Sequence, residues 1–287
     1  MKATICLSLL IILLGACDVS GVKQKKEDDL IGYQEKKTGK GKEKLSGDRK
    51  TLNPGKELDE KQLEGGIRIK YFERGSGAKL KEGEVVKIDY EVLLADGTKV
   101  DGNSLLNKAW LPFMVGYGMQ TPGWDIALKE LKAGDFAEIY LPAKMARGEK
   151  GIKGLIPPNS PNIIRIKVLG HLKPTRVVDG TQVWLLEENK KEQKKADLES
   201  EVEFHYMVGT ESNPKYDISY RRNQPYVLKF SDYGIIKGLK KALINAKKSD
   251  KIWVLVPPAE AYGSKGLKDL VKPNEHVFYD IFVMDVR

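Results

Sequence analysis

Apolar residues recur with two successive periods in the stretch 122–142. One group has helical spacing and the next alternates with polar positions: Trp124, Ala127, Leu128 and Leu131, then Ala137, Ile139 and Leu141. Helical spacing predicts a short helix with one buried stripe, and alternation predicts a strand with one buried face. Ala133-Gly134 between them marks the end of the helix. The stretch therefore predicts a helix–turn–strand unit.

The stretch 237–257 repeats this pattern. Its helical stripe and its alternating positions are Leu239, Ala242, Leu243 and Ala246, then Ile252, Val254 and Val256. Corresponding positions lie 115 residues apart (239 − 124 = 115 and 256 − 141 = 115). A constant offset over a stretch of this length indicates an internal duplication and predicts two domains of one fold.

Further strand patterns surround each unit. They are 66–72, 84–94, 111–115, 135–141 and 163–169 in the first copy, and 182–186, 202–208, 250–256 and 277–283 in the second. Asp96-Gly97 predicts a hairpin turn, because glycine adopts positive φ without strain. Many strands with one short helix predict an antiparallel α+β fold. We place domain 1 at 63–172 and the more divergent domain 2 at 173–287, and we expect them to touch because their linker, 173–179, is short.

The beginning of the chain has a different character. An apolar core at 5–14, too short to span a bilayer, precedes Leu14-Gly15-Ala16-Cys17. This order resembles the lipobox of bacterial lipoproteins. The resemblance implies a signal peptide at 1–16, a lipidated Cys17 and a location outside the cytoplasm, on a membrane facing the periplasm or at the cell surface. An ordinary secretory signal with an incidental cysteine is the alternative.

Residues 17–62 are rich in Lys, Glu, Asp and Gly and contain few large apolar side chains, so we predict a disordered tether. The other cysteine, Cys6, lies within the predicted signal, so we expect neither disulfides nor thiol chemistry in the mature chain. The formal net charge is +9. Basic and acidic residues are interleaved without an aromatic stacking platform, which favours a solvated surface and no nucleic-acid partner. Attraction to anionic lipid or nucleic acid is the alternative.

The residue pattern indicates neither a metal site nor a catalytic nucleophile. The three histidines, His171, His205 and His276, are scattered without metal-ligand spacing. The chain shows no Ser/His/Asp grouping and no phosphate-cradling glycine loop. We therefore expect no metal and no cofactor.

Short motifs occur in the same order in both copies. They are Asp89-Tyr90, Asp96-Gly97-Thr98, Val100-Asp101, Gly123-Trp124 and GLIPPN at 154–159, then His205-Tyr206, Tyr216-Asp217, IIKG at 235–238, Ala261-Tyr262-Gly263 and VKPN at 271–274. In this order the chain resembles FKBP-type peptidyl-prolyl cis–trans isomerases over 63–287. The resemblance implies that each domain is a curved antiparallel β-sheet wrapped around a short α-helix, with a binding pocket between them.

The resemblance also implies the pocket residues. In domain 1 they are Tyr90, Asp101, Phe113, Trp124 as the floor, and Ile156, whose backbone N–H would bond the substrate carbonyl. In domain 2 they are Tyr206, Tyr216, Asp217, Tyr226, Ile236, Tyr262 and Tyr279. Domain 1 departs from the family at Val100, Leu111, Gln120-Thr121, Arg147 and Ile164, and domain 2 has Leu239 in place of the floor tryptophan. Because domain 2 keeps more aromatic walls, we expect it to carry more of any activity.

Two functions follow from the resemblance. The first is a prolyl isomerase and folding helper, a monomer tethered to a membrane by its lipid, which acts on proline-containing polypeptide clients. The second is a catalytically weak binding module that acts as a chaperone or scaffold, since neither pocket is complete. Structural roles also remain open for the named residues, because Trp124 and Leu239 would be core residues in any fold with this helical stripe.

Overall fold

Two antiparallel sheets, each with a short helix, form the part of the chain that the computed structural model describes, residues 52–106 and 108–287. The predicted signal 1–16, the lipidation residue Cys17 and the tether residues 18–51 lie outside the described residues. No helix within the described ranges is long and apolar enough to cross a bilayer.

Domain 1 forms a seven-stranded sheet in the order β1-β2-β6-β7-β3-β4, and β5 pairs with β3. In chain order its elements are β1 (Asp59–Gln62), β2 (Arg68–Glu73), β3 (Val85–Leu93), β4 (Lys99–Gly102), β5 (Leu111–Met114), α1 (Pro122–Leu128), β6 (Phe136–Leu141) and β7 (Asn162–His171). Short 3-10 turns at Glu64–Gly66 and Ala143–Met145 connect some of these elements.

Domain 2 repeats this order as β8-β9-β13-β14-β10-β11, and β12 pairs with β10. Its elements are β8 (Arg176–Val178), β9 (Thr181–Glu187), β10 (Glu201–Gly209), β11 (Asp217–Ile218), α2 (Ser219–Arg222), β12 (Tyr226–Lys229), α3 (Lys237–Leu243), β13 (Lys251–Val256) and β14 (Val277–Val286), with a 3-10 turn at Pro258–Glu260. The identical strand order confirms the predicted duplication and the α+β fold.

Equivalent glycines let each main helix lie directly against its sheet. Gly123 and Gly238 both occupy the second position of their helix. A Cβ atom added at Gly123 would lie 2.7 Å from Leu141, and one added at Gly238 would lie 2.3 Å from Val256. Real Cβ contacts are not that short, so only glycine permits this approach. The pocket floor, one residue further along each helix, is thereby held at a fixed height above the sheet.

The predicted tether is corrected at its C-terminal end. Asp59–Gln62 forms β1, which pairs with β2 from Asp59 opposite Tyr71 to Gln62 opposite Arg68. The strand is mostly exposed and charged, so backbone hydrogen bonds and the ion pair from Lys61 to Glu130 hold it, with no apolar period to reveal it. The predicted linker 173–179 likewise contains β8, which has the place in domain 2 that β1 has in domain 1.

The two domains pack against each other, as expected from the short linker. Trp184, Trp253, Leu255 and Phe278 of domain 2 belong to one buried cluster with the core of domain 1. Tyr117 meets Phe278 edge-on at a centroid distance of 5.7 Å. Ile252, Val254 and Val256 point instead into the separate core of domain 2. Strand β13 is therefore buried on both faces, one toward its own helix and one toward domain 1.

Candidate active sites in the two domains

Three aromatic rings form the base of a pocket in domain 1. Trp124 on α1 is 4% exposed, and the ring of Tyr90 on β3 meets it edge-on at 5.3 Å. Phe113 on β5 stacks against the other side at 5.6 Å with an interplanar angle of 13°. Edge-to-face and offset-stacked arrangements are the geometries that aromatic quadrupoles favour. The base is therefore rigid and apolar.

A buried carboxyl group lies beside these rings. The Tyr90 hydroxyl donates to Asp101 Oδ2 at 3.0 Å, and the Gly102 N–H donates to Asp101 Oδ1 at 2.7 Å. Burial raises the pKa of Asp101, while these two hydrogen bonds oppose the rise. Burial also raises the pKa of Tyr90, so its hydroxyl stays protonated and available as a donor. The site can thus present one oriented carboxyl group in an apolar setting.

Two adjoining cavities open above the base, with volumes of about 430 and 310 Å³ including the part open to solvent. They share Asp101, Gln120 and Trp124. All five residues predicted for domain 1 line one cavity or both: Tyr90, Asp101, Phe113, Trp124 and Ile156. The structure therefore brings together residues that lie up to 66 positions apart in the chain (156 − 90 = 66).

Most of the departures from the family pattern lie in the same cavities. Leu111 and Gln120 line the larger cavity, and Val100 and Arg147 line the smaller one. Arg147 Nη2 donates to Gln120 Oε1 at 2.8 Å. Burial lowers the pKa of Arg147, and the nearby Asp101 opposes that effect. A guanidinium group thus replaces apolar surface on one wall of the domain 1 pocket.

The Ile156 N–H, which the family resemblance assigned to the substrate carbonyl, donates within its own loop. It bonds the carbonyl of Ile152 at 2.8 Å, because residues 152–156 form a tight turn closed by a β-bridge. Thr121 adds a polar side chain to the same cavity. Its side chain is buried, lines the smaller cavity, and has an Oγ1 atom with no hydrogen-bond partner among the described residues. The repeat offset already pointed to it, since 236 − 121 = 115 pairs Thr121 with the predicted site residue Ile236.

In domain 2 the corresponding carboxyl group is paired with a cation. Tyr206 donates to Asp217, as Tyr90 does to Asp101. Arg222, at the end of α2, donates to both Asp217 oxygens and to the Tyr206 hydroxyl, the last at 3.2 Å. Burial would raise the pKa of Asp217, but the hydrogen bonds from Arg222 and Tyr206 outweigh it and leave that pKa below its ordinary value. The sequence analysis did not identify Arg222, because an ion pair across an irregular loop leaves no periodic signal.

The remaining residues predicted for domain 2 form a tyrosine-rich wall. Tyr216 and Tyr262 are partly buried and pack against the core of domain 2. Tyr279 is buried behind Tyr206, with ring centroids 6.4 Å apart, whereas Tyr226 at the edge of the sheet is exposed. Burial raises the pKa of Tyr206 to about 12 and also raises the pKa of Tyr216 and that of Tyr279.

The floor of domain 2 is aliphatic. Leu239 on α3 is buried at the position that Trp124 has in domain 1, and Ile236 is buried just before the helix.

A metal site would need several ligand side chains close together. Within the described ranges, no group of three or more His, Cys, Asp or Glu side chains is arranged to hold a metal ion.

Comparison with known proteins adds the family. The sequence profile described as FKBP-type peptidyl-prolyl cis-trans isomerase matches residues 76–169 and 192–284. Human peptidyl-prolyl cis-trans isomerase FKBP10 is 26% identical over 206 residues, which are 72% of this chain and 35% of the human protein. The outer membrane protein MIP of Legionella longbeachae is 33% identical over 107 residues, 37% of this chain and 45% of that protein. The crystal structure of the three FKBP domains of wheat FKBP73 shares 25% identity, covering 78% of this chain and 96% of that one, with a TM-score of 0.39.

Proposed function

Because the chain belongs to the FKBP-type peptidyl-prolyl cis–trans isomerase family, we propose that it isomerises X-Pro bonds in polypeptide clients and that the domain 1 pocket is its principal catalytic site. The part of the chain that matches human FKBP10 spans about a third of that protein's length.

Isomerisation of an X-Pro bond depends on an apolar cavity and needs no reacting side chain. Rotation about a peptide bond faces a barrier of about 18–20 kcal/mol, because resonance keeps the amide planar. The twisted transition state loses that resonance and is less polar than either planar isomer. An apolar pocket that holds the proline ring favours the twisted state over a hydrated planar one, so catalysis proceeds by differential binding. Neither a nucleophile nor a metal is required.

The observation that carries the proposal is the cavity of about 430 Å³ above Tyr90, Phe113 and Trp124. These rings offer a proline ring contact on several sides, and aromatic contacts contribute about 0.5–1.5 kcal/mol each beyond their buried area. Asp101 lines this cavity as well, and Thr121 supplies a polar atom in the adjoining cavity of about 310 Å³. Apolar walls with a few convergent polar groups are typical of a site that binds a small apolar ring.

Domain 2 fits the binding-module hypothesis better. Its Asp217 is neutralised by Arg222, and its floor is the smaller Leu239. The aromatic walls of domain 2 predicted that it carries more of the activity. We propose the opposite ranking, because Arg222 neutralises Asp217 in domain 2, whereas the rings of domain 1 border an open cavity.

Exchange of the two floor residues tests this ranking. We expect Trp124→Leu to lower kcat/KM of the full chain at least tenfold in a prolyl isomerisation assay, since a loss of about 1.4 kcal/mol of transition-state binding has that effect. Leu239→Trp is the matched control and should change the rate less than about threefold.

The melting temperature of each variant separates misfolding from a lost contact. A large loss in the Leu239 variant, with little effect of the Trp124 change, would restore the ranking expected from the sequence. If the wild-type chain isomerises no peptide but binds proline peptides, the binding-module function takes the place of the enzyme.

We also propose that the protein is a monomer attached through Cys17 to a bacterial membrane, outside the cytoplasm. The sequence Leu14-Gly15-Ala16-Cys17 supports the attachment. A bacterial relative that carries the name outer membrane protein agrees with the location.

A further inference from the structure

The smaller cavity of domain 1 has a more polar lining than the larger one. Beside apolar side chains, its walls contain Asp101, Gln120, Thr121, Arg147 and Asn162. Three of these, Gln120, Thr121 and Arg147, stand at positions where the chain departs from the family pattern. The smaller cavity is therefore the place where the specificity of this chain can differ from that of its relatives.

Thr121 directs an unused hydroxyl group into this cavity. It is the N-cap residue of α1, where a threonine side chain usually accepts a hydrogen bond from the first turn of the helix. Here the side chain makes no such bond, and the Trp124 N–H donates to the Thr121 carbonyl at 2.9 Å. The residue is 6% exposed, and its Oγ1 has no hydrogen-bond partner within the described part of the chain. A client group that bonds this hydroxyl removes the cost of a buried polar atom without a partner.

Gln120 can add a hydrogen-bond donor beside that hydroxyl. Arg147 Nη2 donates to Gln120 Oε1 at 2.8 Å. Because a guanidinium group only donates, this contact fixes which end of the Gln120 amide is the oxygen. The Nε2 end is then the one that can donate to a ligand, while the Thr121 hydroxyl can donate or accept. Two adjacent residues thus offer both kinds of hydrogen bond.

We propose that the smaller cavity binds the side chain of the client residue next to the proline, and that Gln120 and Thr121 make asparagine or glutamine the preferred residue there. This specificity rests on the proposed isomerase function, with the proline ring in the larger cavity. The two cavities share Asp101, Gln120 and Trp124, so a ring held in one brings a neighbouring residue to the other.

Other side chains match this lining less well. The cavity walls contain one carboxyl group, Asp101, and one guanidinium group, Arg147, so a client charge of either sign meets a like charge as well as an opposite one. Such a charge also loses its hydration, which the mixed surroundings do not offset. An apolar side chain leaves the Thr121 hydroxyl without a partner. A neutral amide, which carries a donor and an acceptor, avoids both costs.

Peptides with Asn, Leu or Asp next to the proline test the proposal in the full chain, because these side chains have nearly the same shape. One series varies the residue before the proline and a second varies the residue after it, and the uncatalysed rate of each peptide is subtracted. In one of the series we expect kcat/KM for Asn to exceed that for Leu and that for Asp by about threefold to tenfold.

Variants assign the preference to the cavity. Thr121→Val removes the hydroxyl with little change of shape and should reduce the Asn-to-Leu ratio by at least about twofold, whereas Thr121→Ser should preserve the ratio. Gln120→Met should reduce it as well, and it keeps the test valid if Thr121→Val disturbs α1. Thr98→Val, at the exposed hairpin turn after β3, is the matched control and should leave the ratio unchanged.

Equal kcat/KM for Asn and Leu in both series, or a ratio that Gln120→Met and a folded Thr121→Val both leave unchanged, would overturn the proposal. A preference for Asp over Asn would overturn it too, because the cavity would then select a charge. If the wild-type chain isomerises none of the peptides, fluorescence anisotropy of the labelled peptides gives their affinities instead. Tighter binding of an Asn peptide would then support the polar cavity while refuting the enzyme, and equal affinities would refute both.

Discussion

Equivalent carboxyl groups in the two domains have different surroundings. Asp101 and Asp217 each accept a hydrogen bond from a tyrosine on the neighbouring strand. Burial is the largest influence on Asp101 and raises its pKa, whereas the hydrogen bonds from Arg222 and Tyr206 bring the pKa of Asp217 below the ordinary value. A motif that appears as Tyr and Asp in both copies thus gives two sites with opposite electrostatics.

Removal of Arg222 should reverse the behaviour of Asp217. In the wild-type chain the depressed pKa means that Asp217 stabilises the fold above its unfolded pKa, a contribution lost as pH falls through the folded pKa. In Arg222→Gln, burial is opposed only by the Tyr206 bond and the Ile218 backbone N–H, so we expect the pKa of Asp217 to rise and the carboxylate to destabilise the fold at neutral pH. A pH titration of the Asp217 carboxyl carbon by NMR measures this pKa.

Arg221→Gln is the matched control, because Arg221 precedes Arg222 on α2 and has no ion pair with Asp217 among the described contacts. It should leave the Asp217 titration unchanged. An Asp217 pKa that is the same in wild type and in Arg222→Gln would show that the ion pair does not control this carboxyl group.

Single residues also show where a motif alone misleads. Ile156 was chosen as a backbone donor by its place in a family loop, yet its N–H is occupied within that loop. Which amide is free depends on how the loop folds back on itself, and a residue name carries no such information. Thr121 could have been found from the repeat, because the 115-residue offset pairs it with Ile236.

At the scale of elements, the apolar period found the strands that bury a face and missed those that do not. β6 alternates as FAEIYL, whereas the equivalent β13 reads KIWVLV without a polar position after its lysine. A continuous apolar run is typical of a strand covered on both sides. The second face of β13 packs on domain 1, so this difference between the copies was already a sign of the domain contact.

Strand β1 should contribute measurably to stability. A chain that begins at Leu63 lacks its backbone pairs with β2 and the Lys61–Glu130 ion pair, whereas a chain that begins at Leu52 keeps them. We expect the shorter chain to melt about 3–8 °C lower, since an edge strand of this size is worth about 1–2 kcal/mol. Thermal unfolding followed by circular dichroism compares the two chains.

A disordered tether that reached residue 62 predicts the opposite result, because its removal would not change the stability of the fold. Equal melting temperatures for the chains that begin at Leu52 and at Leu63 would mean that β1 adds nothing to the fold. A lower melting temperature for the shorter chain alone places the start of domain 1 before β1.

At the scale of the whole molecule, the two domains form one packed unit with their pockets side by side. Trp253 and Phe278 are almost fully buried, and their rings meet edge-on at 5.4 Å on the face of domain 2 that covers domain 1. Burial of large aromatic side chains contributes strongly to such contacts. The contact therefore holds both pockets in one arrangement.

The proposed attachment to a membrane depends on one residue, Cys17. We expect Cys17→Ser to abolish lipidation and to shift the protein from the detergent-rich to the aqueous phase in detergent phase partitioning. The neighbouring Ser20→Ala, which leaves the lipobox unchanged, is the control and should partition like the wild type. Equal partitioning of the Cys17 variant and the wild type into the detergent would refute the lipid anchor.

The sequence by itself determined the duplication, the α+β class, the strands with a buried face, the two main helices and the residues that line the domain 1 cavity. The duplication, the strands and the helices follow from local periods and from an offset between copies, both of which are properties of the linear chain. The cavity residues follow from the resemblance to a family. Tertiary structure decided the pairing of β1 with β2 and of β8 with β9, and the Arg222–Asp217 ion pair. It also decided the hydrogen bond of the Ile156 N–H within its loop and the bond between the domains from Lys215 to the Met119 carbonyl. Each of these depends on backbone hydrogen bonds or charges brought together from distant or irregular segments, and such contacts impose no period on the residues that make them.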